Sequence, residues 1–502
     1  VISMPRQTVT ITLYEHQDSK ETEYSTLAQK YKISEKEIYE TLRKINREFK
    51  NIRSESNDNP DQNKKELSEK LAVFDIRYSD YVGVRHYVGF AAVGNVFVQV
   101  LPKVFKPNPE KANKPQINNT TDGNDNKDGT WDSIMAFIRM LNLAYGLKIR
   151  DHDLAYLQGR KLRPNLYEIF IYLFAKSLWN EIQRGYHREY VELHSEEKFL
   201  RGKLLLSKQI RKLPHQLNTF SVEVHELIED NLLNRIFYAS IRIALGKTAW
   251  QTNKKLLEEL MLVFDGVTPI RLTREHFERV HFTRLNERFK HPFELAKLLF
   301  MPPKGEGRDR EVSGFFVDMN ELFERFIAKI IRRNLPEDYD LLYQEEYPFL
   351  KLRRYTRERE KCSKLTKCLP QKPDYVIIRR ETPVLVLDAK YREFKENMPS
   401  SDMARQLYVY SKILEHDSKE KRKNKIEPKI PAVLIFPSSD TYNKELKNKK
   451  YLEFEFFDET KLYVVAYDVE TLKSRLDMDM KNIRYVITKI LNHDGKSSAC
   501  SV

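Results

Sequence analysis

Cysteine is almost missing from this 502-residue chain, which has only Cys362, Cys368 and Cys500. Three thiols cannot make a disulfide framework, and they fit a reducing compartment. Cys362 and Cys368 lie close together, but a structural zinc or iron–sulfur cluster normally takes four ligands. No neighbouring histidine or fourth cysteine is placed to complete a set, so both read as ordinary free thiols. Any apolar run of about 18 residues is also lacking, which excludes an expected transmembrane helix and a membrane partner. Residues 1–13 mix Arg6 with a Thr-rich alternation and have neither the apolar core nor the cleavage site of a signal peptide. A soluble, cytoplasmic protein is expected. The phosphate-cradling pattern Gly-x-x-x-x-Gly-Lys-Ser/Thr is absent as well, since Gly495-Lys-Ser has no upstream glycine, so no nucleotide is expected on this chain. There is no internal repeat.

What is present is ordinary folding material with a basic surplus. Hydrophobic residues make up 41% and charged residues 32% of the chain, a balance that supports folding over most of its length. The length suggests roughly two to four domains. A net charge of +14 points to nucleic acid or an anionic surface. No strongly amphipathic basic helix favours the membrane, so nucleic acid is the expected partner.

Periodicity divides the chain. Residues 8–14 alternate as a strand, and 27–49 have helical spacing with Ser34 and Glu37 placed as a capping box. Residues 54–62 read as a loop. Residues 74–105 read as β-rich, and 106–129, full of Asn, Asp, Lys and Pro, as a loop. Helical spacing covers 131–156, 166–184, 231–245 and 256–264. The Gly, Pro and charge-rich stretch 302–310 is the expected boundary. The expected organisation is a β-rich module with insertions (1–130), a mostly helical middle region serving as partner or DNA adaptor (131–302), and a catalytic domain (303–502). The first two make an α+β adaptor. The third orders its elements as a helix at 319–333, strands at 341–350, 374–379 and 384–391, a helix at 402–414, strands at 432–436, 452–456 and 462–467, and a closing helix. That is an α/β domain with a central mixed sheet flanked by helices.

Its chemistry is concentrated in Pro373-Asp-Tyr-Val-Ile-Ile and Val384-Leu-Val-Leu-Asp-Ala-Lys-Tyr. Asp388 and Lys390 are two apart on a strand, so both side chains leave the same face. A hairpin that sets Asp374 beside Asp388 makes a carboxylate pair with an ammonium alongside. Hard oxygen ligands of this kind suit Mg²⁺, with Mn²⁺ as a substitute; such an ion activates water and polarises a phosphate. Lysine can orient that water or stabilise the developing charge.

This arrangement resembles the PD-(D/E)xK nuclease superfamily, with the Pro-Asp retained and the second element written Asp388-Ala-Lys390. The resemblance implies Mg²⁺ ligation by Asp374, Asp388 and the Ala389 backbone carbonyl. It adds Glu324, in Asn320-Glu-Leu-Phe-Glu-Arg-Phe, as a further acid and ligand, and Gln406 and Tyr410, one turn apart on the following helix, as site residues. More of the chain is similar to the McrC family, the nuclease subunits of McrBC-type modification-dependent restriction systems. The stretches that carry this are Asp318-Met-Asn-Glu-Leu-Phe-Glu-Arg-Phe, Val98-Gln-Val-Leu-Pro-Lys-Val, Arg188-Glu-Tyr, Phe199-Leu-Arg-Gly-Lys and Asp230-Asn-Leu-Leu-Asn-Arg. Segments 21–69 and 106–129 look like insertions. The resemblance implies a partner, a McrB-like AAA+ GTPase ring that this chain docks on and stimulates, and a substrate, double-stranded DNA, which it cuts. Two other readings stay open at the level of residues: a stand-alone DNA nuclease, and a non-catalytic activator of such a ring.

Overall fold

A computed structural model describes residues 8–17, 19–54, 72–76, 80–106, 129–160, 162–216, 218–301, 312–351, 368–422, 429–474 and 484–490. The alternation Val-Thr-Ile-Thr-Leu-Tyr buries Ile11 and Leu13 and makes the strand Val9–Tyr14. This strand lies parallel to Val96–Leu101, which pairs antiparallel with Tyr87–Val93. Both partners are buried along their whole length, so the sheet is covered on two faces. The fourth strand is Val312–Asp318, which pairs antiparallel with Tyr87–Val93. Two glycines let these backbones meet. Gly314 (φ +134°) faces Ala91, and a Cβ there would fall 2.2 Å from the Phe90 carbonyl oxygen.

The helical reading of residues 27–49 becomes two helices, Tyr24–Tyr31 and Glu35–Ser54, broken at Lys32 in the left-handed region. The second buries Ile38, Leu42, Ile45 and Phe49. Asn46 fixes it to the sheet region, donating to the Phe74 carbonyl at 2.7 Å and accepting from the Phe74 N–H at 2.9 Å.

In the middle region the helices Thr130–Tyr145, Leu166–Gln183, Leu232–Lys247, Gln251–Val263 and Lys290–Phe300 surround a shared core. Between them lies a sheet that the periodicity does not predict. Strands Glu189–Glu197, Phe220–Ile228 and Lys203–Leu204 form a three-stranded antiparallel sheet. Its first strand has no buried residue, so it lacks the apolar stripe that marks a strand in sequence.

The last part of the chain builds a six-stranded mixed sheet in the order Tyr339–Tyr343, Tyr375–Arg379, Thr382–Ala389, Ala432–Ser438, Lys461–Asp468 and Leu452–Glu455. The two pairings around Ala432–Ser438 are parallel and the rest antiparallel. Helix Met319–Asn334 packs Phe323, Phe326, Ile327 and Ile330 into the core on one face of this sheet, and Ser401–Arg422 covers the other with Met403, Leu407, Tyr410 and Leu414. The expected boundary segment 302–310 and the expected loops beyond Ser54 and Lys106 lie outside the described residues. Beyond that segment, Val312–Asp318 joins the N-terminal sheet, and Arg139 from the middle region donates to the Leu472 carbonyl at 2.7 Å. One core therefore runs through all three stretches of sequence. Among the described residues no helix is long and apolar enough to cross a membrane.

Gly314→Ala should destabilise the protein by about 2–3 kcal/mol, because the added methyl group has no room against the Phe90 carbonyl and φ must change. Thermal denaturation checks this, and an unchanged melting temperature would refute the close approach.

Candidate metal centre

The hairpin of Tyr375–Arg379 and Thr382–Ala389 turns at Arg380 and Glu381, both with positive φ, +49° and +65°. A two-residue turn of that hand matches the twist of paired strands and fixes their register. Tyr375 lies opposite Leu387, and one more step sets Asp374 opposite Asp388. Strand alternation does the rest. Leu385 and Leu387 enter the core beneath Met319–Asn334, while Val376 and Val386 enter the one beneath Ser401–Arg422. Asp374, Asp388 and Lys390 are in phase with the second set, and so form the polar end of an apolar stripe. The Lys390 N–H reaches the Ile435 carbonyl at 2.9 Å, which continues the ladder past Asp388.

Asp388 is 1% exposed, and its partner is the Lys390 ammonium, which forms an ion pair with Oδ2 at 2.7 Å; no group is aligned as a hydrogen bond on either carboxylate oxygen. Asp374 Oδ2 accepts the Ala389 N–H at 3.0 Å. Burial, then the charges of Asp388 and Glu324, raise the Asp374 carboxyl well above the usual aspartate range. Glu324 comes from Met319–Asn334. Its carboxylate accepts from the Gln344 side-chain amide and from Tyr343, and its backbone carbonyl accepts from the Tyr375 hydroxyl at 2.8 Å. Burial raises Glu324 too, against the hydrogen bonds of Gln344 and Tyr343 and with the repulsion of Asp388. Gln406 Nε2 donates to the Tyr410 hydroxyl at 2.7 Å, and that hydroxyl donates to the Lys372 carbonyl at 3.3 Å. Tyr410 therefore braces the strand two residues ahead of Asp374, and the charges of Asp388 and Asp374 add to burial in raising its pKa.

The residues expected at this site are thus brought to one end of the sheet, in two ranks. Asp374, Asp388, Ala389 and Lys390 are contiguous. Glu324 and Tyr410 lie close enough to feel their charges, and Gln406 joins them through its hydrogen bond to Tyr410. Three acids do not close into one cage: among the described residues, the only acid–histidine group whose ligand atoms all lie within 4.8 Å is Glu192, His194 and Glu223 on the exposed three-stranded sheet. Lysines occupy that group, with Lys208 Nζ 3.1 Å from His194 Nδ1 and Lys203 Nζ 3.3 Å from Glu223. Sequence reasoning missed Gln344, which holds Glu324 and whose N–H also donates to the Asp374 carbonyl at 3.0 Å. A single strand was expected across 341–350, but Gln344 breaks it with φ +53°. No local signal marks that break.

A buried carboxylate whose partner is a single lysine, opposite a second carboxylate, is the ligand set a hard divalent cation satisfies. Asp374 and Asp388 fit Mg²⁺ or Mn²⁺, with Ala389 joined to Asp374 through its N–H and Glu324 adding its charge.

The family model for the McrBC 5-methylcytosine restriction system component matches residues 82–437. A chain in the half-complex of a tetradecameric assembly of Thermococcus gammatolerans McrB AAA+ hexamers with bound McrC is 55% identical, with a TM-score of 0.72, covering 96% of this chain and all of that one. A chain of the Thermococcus gammatolerans McrBC complex is 61% identical with a TM-score of 0.53, covering 65% of this chain and 88% of that one. No curated protein matches. With the family model spanning well over half its length, this chain belongs to the McrBC restriction-system family and is of the McrC type.

Proposed function

We propose that this chain is the DNA-cutting subunit of a McrBC-like complex: a Mg²⁺-dependent endonuclease that docks on an AAA+ McrB-type ring, stimulates its GTPase and cleaves the DNA the ring delivers. The observation that carries the reading is Asp388, buried and facing Asp374, with the Lys390 ammonium paired to its Oδ2 at 2.7 Å. The site reads as a PD-(D/E)xK nuclease centre. Asp374, Asp388 and the Ala389 carbonyl would hold the ion, which when bound supplies a water of lowered pKa and a polarised phosphate. The chain's own residues do the remainder. Asp374 gives up the proton that burial favours, Lys390 stands where it can orient a nucleophilic water or steady charge on a phosphate oxygen, and Tyr410 and Gln406 keep the Asp374 strand in place. Mn²⁺ should substitute for Mg²⁺. Support for the motor partner comes from the relative bound to McrB AAA+ hexamers. In agreement, this sequence has no phosphate loop of its own. Recognition of modified bases is then the ring's task.

Cleavage of methylated and unmethylated plasmid, with and without the matching ring, GTP and Mg²⁺, tests the proposal. Cutting should need all three. Asp388→Ala and Lys390→Ala should each lower it by about 100-fold or more while stimulated GTP hydrolysis persists. Cutting without the ring would favour a stand-alone nuclease, and full activity in Asp388→Ala would sink the proposed site.

A second prediction concerns pH. Because the Asp374 carboxyl is raised in the folded chain, folding takes up a proton, and the stability this brings is lost as pH climbs from the ordinary aspartate value of 3.8 toward the raised one. Without added metal, Asp374→Asn should therefore melt higher than the parent at pH 8, with the gain shrinking as the pH falls to 5. Millimolar Mg²⁺ should raise the parent's melting temperature by about 2–4 °C and leave Asp374→Asn and Asp388→Ala unmoved. An equal Mg²⁺ shift in all three proteins, read by differential scanning fluorimetry, would place the ion elsewhere.

A further inference from the structure

One residue beyond Lys390 the chain enters the N-terminal half of the molecule. The Tyr391 hydroxyl donates to Glu15 Oε1. Tyr391 is 5% exposed and Glu15 1%, so this is a buried contact between residues 376 positions apart. Glu15 follows directly on the strand Val9–Tyr14; its N–H donates to the Leu101 carbonyl at 3.0 Å, and its carboxylate accepts the Lys103 N–H at 3.0 Å. The neighbouring pair in the N-terminal sheet is thus closed around the carboxylate. From the same turn, the Lys103 ammonium lies over two rings of the catalytic half, 5.4 Å from the Tyr391 centroid and 5.3 Å from that of Tyr442. The Tyr391 ring also packs on Phe323, the residue before Glu324, at 5.6 Å between centroids.

A carboxylate and an ammonium from the N-terminal sheet therefore grip the residue that follows Lys390. Lys103 stands in Val98-Gln-Val-Leu-Pro-Lys-Val, a stretch that marked the family resemblance but has no part in the metal centre. Apolar packing alone would join the two sheets without burying a carboxyl group, which is costly unless hydrogen bonds hold it, and burial raises the Glu15 carboxyl to about 7. What the carboxyl group adds is direction. Apolar contacts tolerate sliding, whereas a hydroxyl held by a buried carboxylate has one position, and a backbone fixed at Tyr391 leaves Lys390 little freedom.

We propose that Glu15 and Lys103 are positioning residues for the metal centre, setting through Tyr391 where Lys390 stands against Asp388, so that the N-terminal half governs the cut through this contact. The inference rests on the nuclease reading above. Neither residue touches DNA or metal in this scheme.

The test uses the full-length chain with its matching ring, GTP, Mg²⁺ and methylated plasmid, comparing Tyr391→Phe, Glu15→Gln, their double variant, Lys103→Arg and Lys103→Met, with Asp388→Ala as control. Tyr391→Phe keeps the ring on Phe323 and should melt close to the parent. Its kcat for cleavage should fall by about 10- to 100-fold with KM for DNA and stimulated GTP hydrolysis unchanged, as expected for misplacement of a catalytic group by a fraction of its working distance. Adding Glu15→Gln should cost nothing further, since both act through one hydrogen bond. Lys103→Arg, which keeps a cation over the rings, should retain more activity than Lys103→Met. Parent-like kcat in Tyr391→Phe, additive losses in the double variant, or losses that track the melting temperature and GTPase together would each overturn the positioning role. Those results count against this inference alone when Asp388→Ala is inactive. An active Asp388→Ala would instead remove the nuclease reading beneath it.

Discussion

Two carboxylates facing one another across a hairpin, one fully buried and the other largely so, repel. Cross-strand neighbours stand about 5 Å apart, where two unit charges repel by roughly 3 kcal/mol at an effective dielectric of 20. The surrounding structure can be understood as the means of keeping that pair together. Lys390 neutralises one member, the Ala389 N–H binds the other, Tyr410 braces the strand leading into Asp374, and Gln344 and Tyr343 hold the third acid, Glu324, close enough to add its charge. A core of large aliphatic and aromatic side chains on both faces of the sheet prevents the hairpin from relaxing away. Local stability is given up there, as is usual where a site must be ready for a ligand that completes it.

The aspartates and the lysine were legible because the information lay within 17 residues. Two apolar strands, a short turn and a two-residue spacing fix which face each side chain leaves, and no distant contact can change that phase without breaking the strands. The mixed sheet was legible for the same reason, as its central strands are apolar runs. Glu324 was reached only through family likeness. On a helix carrying both Glu321 and Glu324, nothing local says which of them turns toward the sheet, and the answer lies with Gln344, whose left-handed backbone has no signature in its neighbours. The exposed strand Glu189–Glu197 escaped because an element with no buried face leaves no periodic trace. Glu15 and Tyr391 escaped because sequence says nothing about which parts of a long chain meet.

The N-terminal half, expected as an adaptor, contributes more to the C-terminal half than a tether. The strand that leads into Met319–Asn334 is paired within the N-terminal sheet, the carboxylate after the first strand binds the residue after Lys390, and Arg139 holds the backbone at Leu472. These three contacts touch the start, the middle and the end of the C-terminal half.

The strand Val312–Asp318 has one more consequence. Covalently it follows the middle region, but its seven backbone partners are in Tyr87–Val93. The units that open and close together are defined by such pairings and not by chain order. A nick anywhere between Met301 and Val312 would therefore leave two fragments still joined by a β-ladder and a continuous core. The molecule is in effect a split protein whose pieces are already assembled, with its cooperative boundary lying across the chain's apparent seam.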